Sequence, residues 1–180
     1  MKHQSLFVKA LKQSDSKDEA FNRLVQEYKE RLYWHIRKIV LDHDDANDVV
    51  QNTFIKVHLN IENFNENSTL FTWMYRIATN EALNFIKSKA KKIGLKNEEW
   101  IEAIADNLEA DPFFDGDEAA LILQKEISKL PEKQRIVFNM RYFDRMNYDS
   151  ISEILDTSVG ALKASYHHAV KKIKTKLTND

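Results

Sequence analysis

Asn147-Tyr148-Asp149-Ser150-Ile151-Ser152-Glu153-Ile154-Leu155-Asp156-Thr157-Ser158-Val159-Gly160-Ala161-Leu162-Lys163-Ala164-Ser165-Tyr166-His167-His168-Ala169-Val170-Lys171-Lys172-Ile173-Lys174 is the stretch whose reading decides the fold class. Asn147 caps a short helix that carries Ile151, Ile154 and Leu155 on one side, and Asp156-Thr157 makes a turn. Ser158 then caps a longer helix bearing Leu162, Tyr166, Ala169, Val170 and Ile173. Two apolar stripes at three- and four-residue spacing, joined by a tight turn, make a helix-turn-helix pattern. The second helix offers Ala161, Lys163, Ala164, Ser165, His167 and His168, with Lys171 and further lysines behind them. Small and polar side chains suit base edges in a major groove, and lysines suit phosphates. A plain helical hairpin with a wet, basic face has the same pattern.

Working outward, the rest of the 180 residues reads as helix too. Three glycines and two prolines are too few for the turns of a β-sandwich or for a glycine-rich phosphate loop. Phe21, Leu24, Val25, Tyr28, Leu32, Ile36, Ile39 and Val40 recur at helical spacing. After Asp42-His43-Asp44, with Asp44 or Asp45 as cap, Ala46, Val49, Val50, Phe54 and Val57 mark a second helix. Residues 62–68 lack an apolar period and read as a loop. Ser68 can cap a long helix through about Lys91 that carries Phe71, Met74, Tyr75, Ala78, Ala82 and Phe85 on one face. The expected architecture is all-α: a bundle over 1–91, a mobile acidic linker over 92–116, and a second helical unit over 117–180. Within the linker, Trp100, Ile101 and Ile104 can form a loosely docked helical turn. Pro131 stands where a helix can start, its missing N–H costing nothing there.

The net charge of −1 conceals an asymmetry. Nine acidic residues and no Lys or Arg lie between Asn97 and Gln124, so the other 152 residues carry 27 basic against 19 acidic groups. Lys87, Lys89, Lys91, Lys92 and Lys96 form one basic cluster; Lys163, Lys171, Lys172, Lys174 and Lys176 form another. Two basic patches split by an acidic segment point to a polyanion partner, although lysines also suit helix C-termini. The absence of cysteine excludes disulfides, thiolate metal sites and cysteine nucleophiles. No apolar run approaches a membrane span and the first twenty residues lack a signal-peptide core, so a cytoplasmic protein is expected.

Two further constellations bear on function. Phe64, Asn65, Ser68, Thr69 and Leu70 in the loop, with Trp73, Arg76 and Asn80 just beyond and Lys87 further on, combine aromatic faces, amides and cations. Those are the components of a single-stranded nucleic-acid site, although each aromatic taken alone reads first as core. Asp45, Asp48, Gln51, Asn52 and Lys56 interleave with Phe54 and Ile55, which point partly outward; that face suits docking on a partner helix or is simply solvated. Catalysis finds little support. The six histidines lack ligand spacing, His167 and His168 point to different helix faces, and nucleophile and nucleotide motifs are missing. No metal, cofactor or small-molecule substrate is expected. A stand-alone helix-turn-helix regulator and a helical scaffold remain alternatives on these residues alone.

Taken together, the segments resemble the extracytoplasmic-function (ECF) sigma factors of bacterial RNA polymerase, over about Ala20 to Leu177. Asp45-Ala46-Asn47-Asp48-Val49-Val50-Gln51-Asn52-Thr53-Phe54 is similar to the family's polymerase-docking helix in region 2. Phe71-Thr72-Trp73-Met74-Tyr75-Arg76-Ile77-Ala78-Thr79-Asn80 is similar to its −10 recognition and melting helix. Leu130-Pro131-Glu132-Lys133-Gln134-Arg135, Tyr148–Leu155 and Ser158–Lys163 resemble region 4, which reads the −35 element. The resemblance implies that Asp45, Asp48, Gln51, Asn52, Phe54 and Ile55 grip the clamp helices of the polymerase's largest subunit, with its flap as a second contact. It implies that Phe64, Asn65, Ser68, Thr69, Leu70, Trp73, Arg76, Asn80 and Lys87 meet −10 DNA, the loop holding a base flipped from the duplex. Ser158, Ala161, Lys163, Ser165, His167, His168 and Lys171 would meet −35 DNA. An anti-sigma factor would occlude these surfaces. Ala161 where many members carry Thr, and Ser165 and His168 where many carry Arg, imply an atypical −35 reading. Asn52 stands where an acid is usual.

Overall fold

The computed structural model describes residues 2–13, 15–111 and 117–178, and all its regular elements are helical. In chain order these are α1 (Lys2–Lys12), α2 (Lys17–Val40), α3 (His43–Asn60), a 3-10 turn (Ile61–Asn63), α4 (Leu70–Ile93), α5 (Asn97–Asp106), a second 3-10 turn (Leu108–Ala110), α6 (Glu118–Ser128), α7 (Glu132–Tyr142), α8 (Tyr148–Leu155) and α9 (Val159–Leu177).

The helix boundaries have local causes. Helix α2 stops at Leu41, which turns left-handed (φ 64°) and returns its N–H to the Arg37 carbonyl. Asp42, rather than Asp44 or Asp45, caps α3, its carboxylate accepting from the Asp45 N–H at 2.9 Å. Thr69, rather than Ser68, caps α4 by accepting from the Thr72 N–H at 3.1 Å. Gly94 ends α4 at φ 75°, where a residue without Cβ closes the last turn without strain. Asn147 and Ser158 cap α8 and α9 as their sequence positions predict. Asp156 takes the left-handed turn position between them (φ 48°), which a short polar side chain tolerates.

Among the described residues, three apolar clusters hold the helices together. The largest joins Leu32, Ile36, Ile39 and Val40 of α2, Val49 and Val50 of α3, and Tyr75, Ala78, Ala82 and Ile86 of α4. It continues without a break into Ile136, Val137 and Met140 of α7, Ile151 and Ile154 of α8, and Leu162 of α9. The two helical units therefore share one core. A second cluster packs Val8 and Leu11 of α1 against Leu24, Val57, Ile61, Phe64, Leu70 and Met74. The N-terminal segment, merely helix-compatible by composition, is thus an integral part of the bundle. The third lies between α6, α7 and α9, with Ile127, Leu130, Phe138, Ala169 and Ile173.

The acidic segment differs most from its sequence reading. Residues 97–106 form a docked helix, with Ile101 fully buried and Ala105 and Leu108 nearly so, all inside the largest cluster. Beyond it, Arg37 pairs with Asp111 and also donates to the Leu41 carbonyl. The helical turn expected at Trp100, Ile101 and Ile104 is thus a longer helix, its apolar stripe continuing through Ala105 to Leu108 and packing into the core where the sequence reading placed a linker. Residues 112–116, the rest of the expected linker, lie outside the described residues.

Candidate nucleic-acid interface

Helix α3 sorts its predicted docking residues by burial. Asp48, Gln51, Asn52 and Ile55 are exposed along one side at three- and four-residue spacing. Leu59, four residues past Ile55, continues that side and is 69% exposed; the spacing alone was signal enough to include it. Phe54 is a correction: it points inward, meeting Phe21 edge-to-face at 6.3 Å, because it falls on the Val50–Val57 stripe. Asp45 is buried as well and accepts from Lys89 of α4 at 2.9 Å. Burial pushes the Asp45 carboxyl up despite that hydrogen bond, whereas Asp45 holds the better-solvated Lys89 ammonium up. The pair ties α3 to α4, although its attraction does not fully offset the desolvation of the carboxylate.

The loop before α4 also divides. Asn65, Glu66, Asn67 and Thr69 are exposed and Ser68 half-buried, with Glu66 left-handed (φ 58°) and the Asn67 N–H held by the Asn65 side chain at 3.3 Å. Phe64 and Leu70 correct the sequence expectation of DNA-facing side chains. They are 1% and 2% exposed, built into the second cluster, with Phe64 lying against the Trp73 ring at 5.2 Å. Their role is to fix both ends of the loop. On α4 itself, Trp73 is half-buried, while Arg76, Asn80 and Lys87 are exposed. Asn84, missed in the sequence, is exposed between Asn80 and Lys87 at the same spacing.

Helix α9 buries Leu162, Ala169 and Ile173, leaving Ala161, Ala164, His168 and Lys171 as an outward stripe at positions i, i+3, i+7 and i+10. His167 and Ser158 are exposed beside it. Lys163 leans the other way, its ammonium over the Tyr148 ring at 5.8 Å. Ser165 is half-buried and faces α4. The His167 and His168 rings, 6.1 Å apart and 67° to one another, diverge. The predicted set is therefore one accessible stripe with two flanks.

Helices α4 and α9 meet across a cleft of about 380 Å3, lined by Arg76, Asn80 and Leu83 of α4 and by Asp156, Leu162 and Ser165 among others. Polar contacts fasten it. Asp144, after α7, accepts from His35 Nδ1 at 2.7 Å and from Lys38 Nζ at 2.5 Å. His35 Nε2 lies 2.9 Å from the Thr79 hydroxyl, and the Asn139 amide donates to the Lys38 carbonyl at 3.0 Å. Arg76 donates from Nε to the Glu153 carbonyl of α8 at 2.9 Å. Burial alone would raise the Asp144 carboxyl, but the hydrogen bonds and charges of His35 and Lys38 outweigh it and hold it below the usual carboxylate range.

Family models for sigma-70 region 2 and sigma-70 region 4 match residues 24–92 and 120–173. The chain belongs to the ECF sigma factors of RNA polymerase. Among its relatives, the ECF RNA polymerase sigma-E factor of Haemophilus influenzae is 31% identical, covering 94% of this chain and 93% of the relative. The ECF RNA polymerase sigma factor SigW of Bacillus subtilis is 29% identical over 94% of each chain. In fold, the chain is similar to CnrH, solved in complex with the cytosolic domain of CnrY (TM-score 0.69, 20% identity, 98% of this chain and 97% of that one). It is likewise similar to the sigma factor RpoE of Bartonella quintana, solved with the anti-sigma factor NepR (TM-score 0.68, 18% identity, 89% and 98%). In this sigma factor the region 2 match spans α2, α3 and α4, and the region 4 match runs from α6 to α9. Helices α1 and α5 fall outside both matches yet contribute to the shared packing.

Proposed function

We infer that this sigma factor binds core RNA polymerase, directs it to specific promoters and helps open the −10 region, without catalysis of its own. The observation that carries the reading is the order of three surfaces on one chain: the exposed side of α3, the loop-to-α4 stripe, and the outward stripe of α9. On this reading Asp48, Gln51, Asn52 and Ile55, extended by Leu59, grip the clamp helices. Loop 64–70 receives an unpaired −10 base, with its backbone and exposed amides doing the contacting. Asn80, Asn84 and Lys87 follow the strand along α4, and Ala161, Ala164, His168 and Lys171 face the −35 groove. Stacking and edge contacts worth about 1–3 kcal/mol per base offset the cost of extruding one. A stand-alone regulator would need none of the α3 surface.

The observed arrangement is a closed one. Elements named for positions about 25 base pairs apart lie on the order of 85 Å from one another along duplex DNA, at about 3.4 Å per pair. Asn80 and Ser165 line a single cleft. Region 2 and region 4 must therefore separate before both elements are read, and an anti-sigma factor that keeps them together would inhibit. The test is reconstitution in a cytoplasm-like buffer: the chain is mixed with cognate core polymerase and a promoter library, and run-off transcripts are sequenced. Promoter-specific transcripts that depend on the chain support the reading. Specific duplex binding by the chain alone, with no core association, would replace it with the stand-alone regulator.

A further inference from the structure

Loop 64–69 gains its shape from neighbours. Its ends are fixed by Ile61, Phe64 and Leu70 in a cluster to which α1 contributes Val8 and Leu11. At the point where the chain leaves that core, the Phe64 carbonyl accepts a hydrogen bond from Lys12 Nζ of α1, across 52 positions of sequence, at 2.5 Å. Lys12 is half-buried, so its stem packs while its head is held against the loop. A neighbouring contact, Lys17 of α2 to Glu62 of the 3-10 turn at 3.4 Å, is more exposed and contributes little. Past Phe64 the backbone turns through exposed Asn65, left-handed Glu66 and exposed Asn67. The direction of the Phe64 carbonyl sets where those groups point.

We propose that Lys12 is a positioning residue for −10 base recognition: its ammonium fixes the Phe64 carbonyl and thereby the loop backbone that receives the extruded base. The proposal rests on the reading of 64–70 as the base-receiving loop. A charge-assisted bond to a carbonyl is short and directional, and it places a cation at the root of a loop that meets a polyanion. Helix α1 lies outside the region 2 match.

The test uses holoenzyme assembled from core polymerase and the full chain. The probe is a pool of single-stranded oligonucleotides randomised at six central positions, enriched by binding and sequenced. Lys12→Met keeps the stem and removes both donor and charge; Lys12→Arg restores them. Lys12→Met is expected to lose about tenfold in affinity for the enriched oligonucleotide, the scale of one charged hydrogen bond. It should also flatten base preference at one position while core affinity stays at the wild-type level, with Lys12→Arg recovering most of the loss. Wild-type affinity and preference in Lys12→Met, alongside a loss in Asn80→Ala, overturns the proposal and leaves the loop reading in place. Wild-type behaviour in both variants overturns that reading with it. Equal losses of core affinity and oligonucleotide affinity, with base preference intact, reduce Lys12 to a fold contact and also refute the proposal.

Discussion

Replacing Asp144 by Ala removes the carboxylate that joins region 4 to region 2. The side chain is 9% exposed and bonds to His35, 1% exposed, and to Lys38, 21% exposed. Removing one partner of a buried pair costs about 3–5 kcal/mol because the other is left buried and unpaired. Lys38 can regain water, which places this case near the lower end, at about 3 kcal/mol. Among the described residues the side-chain bonds of Asp144 go to region 2, so the loss falls on the contact between the two halves. Opening should become easier by on the order of 100-fold, at 1.4 kcal/mol per decade. The shared apolar core, the Asn139–Lys38 bond and the Arg76–Glu153 bond oppose full separation. The chain has no cysteine, so a dye pair can be placed on introduced cysteines at exposed Asn22 and Lys174. Energy transfer together with small-angle scattering should show a larger mean separation in Asp144→Ala than in the wild type. The wild-type closed state should also loosen in acid. Asp144 is depressed in the folded chain, so its contribution is present above the ordinary carboxylate pKa of about 4 and is lost as pH falls through the folded value. Asp144→Ala should lack that acid step. An unchanged distance distribution with an unchanged melting temperature would refute the reasoning.

Three further outcomes are expected. Ile101→Ala should destabilise the whole chain by about 2–5 kcal/mol in denaturant titration, since a fully buried branched side chain leaves a cavity; a change within error would restore the mobile linker. Gly94→Ala should cost about 1–2 kcal/mol for backbone reasons alone, because a Cβ there meets nothing within 4 Å while φ is 75°; equilibrium unfolding measures it. Asn80→Ala should weaken promoter opening, followed by permanganate reactivity, more than core binding, and equal loss of both would remove Asn80 from the −10 site.

The sequence was sufficient for the helical class, the helix-turn-helix and the family, because these rest on local information. Period, caps and turn residues act within a few positions, and the motif Asp45–Phe54 or Ser158–Lys163 reads the same whatever it packs against. Asn147 and Ser158 cap as expected for that reason. What period does not say is which side of an amphipathic helix faces solvent when both carry apolar groups. Phe54 and Ile55 are neighbours of similar hydrophobicity, yet Phe54 is buried and Ile55 is 56% exposed, a choice made by the position of Phe21. Phe64 and Leu70 moved from expected DNA contacts to core because α1 supplies Val8 and Leu11 above them. Within 97–111 the docked turn at Trp100, Ile101 and Ile104 was legible, but its extension through Ala105 and Leu108 against α4 and α6 was not. Bonds such as His35–Asp144 and Lys12–Phe64 join residues 109 and 52 positions apart. A polar residue bears no local mark of a partner at that distance, so the closed relation of the two regions was decided by tertiary packing.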